Sequence, residues 1–293
     1  MWVGSGESRH AVGVLARTEY YASIPLVQPK ANYVIPRTLA AVAVAMEKFK
    51  VTKCEVGLQL LFPSAEFERT DFNELAQALK AALLRFESPT GQLRAKLKSC
   101  TFHPEGWGLT RRYMHDSGNK INGKQIACIM FGHRNTSLYI CDGGQPKHYR
   151  SNNLGFIRAI ESAKLDQLQG LSDPALVDQQ SLDKYWAANK NWLDENLPST
   201  VSIAVIGGGP LASIGENLTS YLSSRLPIGD RWASDVVALN GGMSLQRHHY
   251  HEDNPQILKR WPHNLGIPES DHQAFCDVYC LWATDRTANL VNA

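Results

Sequence analysis

The chain has 293 residues, of which 43% are hydrophobic and 20% are charged, so it is long enough to bury a large core and to form about two domains. Thirty basic and 28 acidic residues leave a net charge of +2. Composition therefore gives no global electrostatic reason to bind DNA or an anionic membrane, and we expect neither direct nucleic-acid binding nor a membrane partner. The longest apolar runs fall far short of the roughly 20 residues that cross a bilayer.

The six cysteines are scattered along the chain, and no charged-then-apolar signal peptide opens it. We therefore expect reduced thiols and a cytoplasmic location.

The first part of the chain alternates predicted strands with predicted helices. Two short β-like runs lie within Met1–Ala16, on either side of a turn-forming Gly-Ser-Gly. Helical periodicity covers 36–49 and then 71–86, where Thr70 or Asp71 is available as the N-cap. Residues 54–62 alternate and then become continuously apolar, which is typical of a strand buried on both faces, and 92–102 alternates as a further strand.

The second part continues the same alternation. Residues 125–139 predict a strand, a tight turn and a returning strand, and 141–144 are typical of a type I′ hairpin turn. Residues 240–270 show no sustained period and are interpreted as a loop insertion. The remaining elements are predicted helices at 156–165, 182–197 and 211–226, a strand at 201–206 and a closing apolar element at 274–282. Strands alternating with helices indicate the α/β class.

Three consecutive glycines form the first candidate site. Gly207, Gly208 and Gly209 follow an apolar strand and precede a predicted helix, where backbone can approach a ligand and the helix start offers unpaired amides. They do not match the Gly-x-Gly-x-x-Gly fingerprint of dinucleotide sites. A tight turn without a ligand explains the triplet equally well, so a second feature is needed.

The turn of the predicted hairpin supplies that second feature. Successive amides in such a turn form a nest for phosphate oxygens. The candidate binding residues are Gly132, His133, Arg134, Asn135, Thr136 and Ser137. For Arg134, solvation at the surface is the alternative to a phosphate contact.

This hairpin resembles the second phosphate loop of the actin and sugar-kinase superfamily, and the glycine triplet with its helix resembles that superfamily's adenosine loop. Three other segments are similar, in order, to motifs of ParM/StbA-like bacterial actin-like ATPases. They are residues 56–63 with the following Glu66-Phe67, the Pro-Glu segment within 102–108, and 274–281. The resemblance implies an actin-like fold with two RNase H-like domains around a nucleotide cleft. We expect a partial first lobe over residues 1–122 and a second lobe over residues 123–293.

The resemblance also implies a function. It predicts an ATP-binding, filament-forming protein of plasmid partition or of the bacterial cytoskeleton, with self-association and a DNA-binding adaptor protein as its interactions. Glu105, in the Pro-Glu segment, is the candidate catalytic residue that orients the attacking water. A solvated loop glutamate is the alternative. Sugar or acetate kinase activity is not favoured, because the sequence shows no recognisable carboxylate or base for such a substrate.

Two departures from the superfamily pattern qualify these expectations. Met130 stands where the second phosphate loop has an Asp that orients Mg²⁺, and a thioether does not bind this ion. A catalytically degenerate actin-fold scaffold is therefore the alternative function. The first phosphate loop has no counterpart before Trp2, so we expect an incomplete first lobe in which 56–62 has an unpaired edge that promotes association.

A metal site is not predicted elsewhere in the sequence. Residues 248–253 combine imidazole and carboxylate groups but do not match His-Glu-x-x-His, which favours a solvated loop. Cys276 and Cys280 lack Cys-x-x-Cys spacing and are interpreted as core residues.

Overall fold

The computed structural model describes residues 1–20, 29–117, 123–166, 170 and 173–208, together with single positions between 214 and 224. The predicted insertion at 240–270 and the closing element at 274–282 lie outside the described residues. The chain divides into two compact units, Met1–His103 and Pro104–Ala293. The predicted boundary at 122/123 lies after a helix that the structure groups with the second unit, because this helix contacts a strand of that unit.

The first unit is a mixed α/β domain. Its described elements are β1 (Trp2–Ser5), β2 (Ser8–Ala11), α1 (Val14–Glu19), α2 (Val34–Lys48), β3 (Lys53–Phe62), α3 (Ser64–Phe67), α4 (Phe72–Leu84), β4 (Phe86–Ser88) and β5 (Gly91–Pro104). The strands form one sheet in the order β2-β1-β4-β5-β3. The predicted strands and helices of this unit are therefore present, and β3 lies at an edge of the sheet.

Helix α2 packs its apolar stripe on this sheet. Leu39, Ala43 and Met46 of α2 join one core cluster with Val3 of β1 and Phe86 of β4. Helix α4 completes the cluster through residues at its C-terminal end.

Asp71 is the N-cap of α4, as one of the two predicted alternatives. Its Oδ1 accepts hydrogen bonds from the amides of Asn73 at 2.9 Å and Glu74 at 3.0 Å. These bonds satisfy two of the amides that a helix start leaves unpaired.

Strand β3 departs from its prediction. Its residues alternate between exposed and half-buried, and only Leu61 and Phe62 at its end are buried. The prediction of a strand covered on both faces is therefore wrong over most of its length. The exposed positions of the run, Glu55, Gly57 and Gln59, alternate with apolar residues, as in a strand with one exposed face. Only its end, residues 60–62, is continuously apolar, and that end misled the interpretation.

The second unit is built on a four-stranded sheet. Its described elements are α5 (Trp107–Ser117), β6 (Gln125–Phe131), β7 (Thr136–Asp142), β8 (Gln145–Ser151), α6 (Ile157–Ser162), α7 (Gln179–Asn196) and β9 (Val201–Gly207). The strand order is β8-β7-β6-β9, with β6, β7 and β8 successively antiparallel and β9 parallel to β6.

Strand β6 lies inside this sheet, and the residues from Ile126 to Ile129 are all buried. Burial on both faces explains why this segment is a continuous apolar run. The turn between β7 and β8 is the predicted type I′ turn, since Gly143 and Gly144 both have positive φ, 59° and 76°. Among the helices that the structure describes, none has the length and hydropathy needed to cross a membrane.

Candidate functional site

The two predicted binding loops lie side by side in the second unit. Strands β6 and β9 are parallel neighbours, and Met130 near the end of β6 pairs with Gly207 at the end of β9. The turn after β6 (residues 132–135, the hairpin turn) and the segment after β9 (residues 207–209, the glycine loop) therefore start from the same edge of the sheet. Gly209 lies outside the described residues.

A side chain would be crowded at Gly207 and is excluded at Gly208. A Cβ atom on Gly207 would lie 2.5 Å from Leu109 Cδ1 and 2.6 Å from Met130 Sδ. A Cβ atom on Gly208 would overlap the backbone of Phe131, and the φ of Gly208 is 129°. The glycines thus allow close packing on β6 as well as a backbone approach to a ligand.

Hydrogen bonds fix the shape of the hairpin turn. The amide of Gly132 donates to the carbonyl of Asn135 at 2.9 Å, which closes the turn. The carbonyls of Gly132 and His133 accept from the amides of Phe156 at 3.1 Å and Ile157 at 2.9 Å. Within the described part of the chain, the amides of His133 and Asn135 have no acceptor. These two amides are therefore candidates to bind an anion.

The side chains of Thr136 and Ser137, two of the predicted ligand contacts, have hydrogen-bond partners within the protein. Both side chains are buried, and the Thr136 hydroxyl donates to Asn189 Oδ1 at 2.6 Å. The Ser137 hydroxyl accepts from Asn135 Nδ2 at 3.0 Å and lies 3.2 Å from the Ser151 hydroxyl. Both hydroxyls therefore form hydrogen bonds within the protein that stabilise the hairpin.

His133 and Arg134 differ in the charge that they bring to the turn. Burial lowers the pKa of His133 from 6.5 to about 4, so this imidazole is neutral at pH 7. Its Nε2 atom is buried and has no hydrogen-bond partner among the described residues. Arg134, which is half-buried, is therefore the cation of the turn.

Gly106, the residue that follows Glu105, packs on β6 against Cys128 and Met130. A Cβ atom on Gly106, which has a φ of 91°, would lie 2.9 Å from Met130 Cγ. The carbonyl of Gly106 accepts from both the amide and the hydroxyl of Thr110 at 3.0 Å. The Thr110 hydroxyl in turn lies 2.8 Å from the hydroxyl of Tyr139. The Pro-Glu segment and the two loops thus converge on one end of β6.

Met130 offers no oxygen ligand for Mg²⁺ at the end of β6. Met130 fills the space between Gly106 and Gly207 with its thioether chain. No cluster of three or more metal-ligating side chains occurs in the described ranges. Mg²⁺ requires oxygen ligands in near-octahedral geometry, which methionine does not supply.

Asn189 is the site residue that sequence reasoning did not select. It lies on the predicted helical stripe with Tyr185 and Trp186, but its side chain is fully buried and bonded to Thr136. The sequence does hold one sign of this role, which is a polar amide within an otherwise apolar helical stripe. A buried amide requires hydrogen-bond partners, so its presence there indicates a specific contact.

No family model matches this sequence, and no curated protein matches it significantly. Solved structures do match. Ta0583, an archaeal actin homolog solved as a complex with ADP, is 15% identical and aligns with a TM-score of 0.54 over 84% of this chain and 89% of its own. This chain has the actin-like fold. A ParM from Clostridium botulinum, solved as a 15-stranded filament, is 14% identical and aligns with a TM-score of 0.53 over 84% of each chain.

The actin-like fold confirms the fold class predicted from the ordered motifs. At these identities the similarity establishes the fold of the actin-like chain, and its function must be argued from its own residues.

Proposed function

We propose that this actin-like chain binds an adenine nucleotide where β6 and β9 end, and that it self-associates into filaments that serve DNA partition or the cytoskeleton. The pairing of Met130 with Gly207 is the observation that carries the proposal, since it sets the hairpin turn beside the glycine loop. The archaeal homolog that holds ADP and the ParM that forms a filament support the two halves of the proposal.

Each loop has its own part in the proposed binding. The amides of His133 and Asn135 donate to phosphate oxygens, and the guanidinium of Arg134 neutralises their charge. The glycine loop lets the backbone approach the adenosine. Glu105 is the candidate for orienting a water molecule, and a DNA-binding adaptor is the candidate partner of the filament.

A second candidate function is a scaffold that keeps the fold without turning nucleotide over. Met130 favours it, because an apolar side chain occupies the point at which a carboxylate would orient a metal. In this case the chain binds other proteins, and its hairpin turn and glycine loop only pack against the rest of the second unit.

Calorimetric titration with ATP and with ADP separates the two candidates. We expect the wild-type chain to bind at micromolar to millimolar concentrations, and Arg134→Ala to weaken binding about tenfold through loss of a charge-assisted contact. Arg150→Ala is the matched control, because Arg150 is an exposed arginine on β8 of the same unit. If no binding heat is seen at millimolar nucleotide, the scaffold is the remaining candidate function. If both variants lose the same amount of nucleotide affinity, the hairpin turn is not part of the binding site.

A further inference from the structure

Helix α7 contacts both segments that flank the proposed nucleotide site. At its middle, Asn189 Oδ1 accepts the Thr136 hydroxyl that follows the hairpin turn. Five residues farther along, Asp194 Oδ1 accepts from the Tyr221 hydroxyl at 3.0 Å. Tyr221 is buried and helical, and it belongs to the segment that follows the glycine loop.

The contact between α7 and Tyr221 involves more than one hydrogen bond. The Trp186 ring meets the Tyr221 ring edge-on with centroids 5.9 Å apart. Lys190 Nζ lies 5.7 Å from the centroid of the same ring. Edge-to-face rings and a cation near the ring both stabilise such a junction.

The contact at Asn189 is equally well defined. Its Nδ2 donates to the carbonyls of Leu154 at 3.1 Å and Tyr185 at 3.0 Å, while its Oδ1 accepts from Thr136. Leu154 is followed by Gly155, which packs directly on the backbone of the hairpin turn. One fully buried amide therefore ties α7 to the hairpin and to the segment that supports its turn.

We propose that Asn189 is a positioning residue for the hairpin turn, and that α7 thereby sets the spacing between this turn and the segment following the glycine loop. Removal of one partner from a buried amide leaves a polar group unpaired, so the side chain has a single favourable arrangement. Binding groups need such support to hold a ligand within a fraction of an ångström. The part of the proposal that concerns nucleotide affinity rests on the proposed function, whereas the part that concerns the turn does not.

Thr136→Val tests the positioning role, because it keeps the branched shape and removes the hydroxyl. This hydroxyl lies 2.6 Å from Asn189 Oδ1 and 3.2 Å from the Leu154 carbonyl, so the bond to Asn189 is the shorter of the two that are lost. Amide exchange is measured at Gly132 and Ile157, whose hydrogen bonds hold the turn, and at Ala127 and Ile129 in the centre of β6. We expect exchange at the first pair to become about tenfold faster while the second pair stays unchanged. Thr136→Ser, which restores a hydroxyl, should return exchange to the wild-type rate. Unchanged rates at Gly132 and Ile157 in the valine variant, or a serine variant that behaves like valine, would overturn the proposal.

The same variants are titrated with ATP. Thr136→Val should raise the dissociation constant about tenfold and Thr136→Ser should restore it. If the wild-type chain binds no ATP, the proposed function fails, and the exchange rates still decide the positioning role. If the valine variant does not fold, Thr136→Ala removes the hydroxyl with less crowding and takes its place.

Tyr221→Phe tests whether α7 joins the two segments, because it removes the bond to Asp194 and keeps the ring contacts. Combined with Thr136→Val, it should raise the dissociation constant for ATP by less than the product of the two single effects, as expected of residues that act through one element. Strictly multiplicative effects would limit the role of Asn189 to the hairpin turn and overturn the linkage through α7.

Discussion

Gly208 packs directly on the carbonyl group of Phe131, with no space for a side chain between the two backbones. Its φ of 129° is one that residues with side chains rarely adopt. The glycine loop therefore rests on the last residue of β6, and the hairpin turn begins at the next residue. The relative position of the two loops is therefore fixed by a contact between backbone atoms.

Replacement of Gly208 by Ala should destabilise the second unit by about 3 kcal/mol or more, because the Cβ atom meets backbone atoms and φ is strained. Gly143→Ala is the matched control. Gly143 also has a left-handed φ, 59°, but an added Cβ atom would have nothing within 4 Å, so we expect a cost of about 1 kcal/mol. Urea unfolding of both variants measures the difference. Similar midpoints would contradict the close packing of Gly208.

The buried imidazole of His133 predicts a dependence of stability on pH. Its pKa is lowered from 6.5 to about 4 by burial, so the unfolded chain takes up a proton at a higher pH than the folded chain does. Stability from this group is thus fully present above about pH 6.5 and is lost as pH falls toward 4. Since the side chain is only partly buried, we expect a loss of about 1 kcal/mol.

Other groups titrate in the same range, so the measurement compares the wild type with His133→Asn. The free energy of unfolding is determined at pH 7 and at pH 5 for both proteins. The wild type should lose more stability than the variant between these two values. An equal loss would show that His133 titrates normally in the folded chain.

The order of the elements could be predicted from the sequence where burial follows a regular period. Strand β6 is a continuous apolar run because it lies inside the sheet, and α2 carries a clear apolar stripe. Strand β8 was missed, since none of the residues from Gln145 to Ser151 is buried and no alternation marks it. The helical period of 71–86 includes Phe86, the first residue of β4, whereas in the structure the extended backbone of Arg85 ends that helix.

The site could be predicted in part. The glycines and the turn were recognisable because backbone approach requires particular residues at particular places. The orientation of Thr136 and Ser137 was not, because a hydroxyl next to a turn suits a ligand or a buried partner equally well. Only the fold shows that Asn189, 53 positions away, accepts from Thr136.

The apolar side chain of Met130 predicts how nucleotide affinity responds to Mg²⁺. Since Met130 offers no carboxylate to the ion, we expect the dissociation constant for ATP to change less than about threefold between excess Mg²⁺ and EDTA. Met130→Asp should make affinity depend on Mg²⁺, and Met130→Leu, which keeps the apolar volume, should not. A strong Mg²⁺ dependence in the wild type would contradict this interpretation.

Strand β3 predicts association of the chain through its first unit. In the sheet as described, β3 lies at the edge, and β1 and β2 join the opposite side through β4. The edge is ten residues long, with Glu55 and its partners Lys96 and Lys98 as nearby charges. An exposed edge of this length pairs readily with another strand. We therefore expect the chain, expressed alone, to form oligomers whose mass in light scattering rises with concentration.

Amide exchange identifies the surface that associates. Protection over Lys53–Phe62 should increase with protein concentration, while the amides of β6 stay equally protected at all concentrations, because that strand has neighbours on both sides. The β6 amides serve as the internal control for global stability. A monodisperse monomer in which Lys53–Phe62 is strongly protected at every concentration would show that other residues of the chain cover this edge, and association through β3 would then have to be withdrawn.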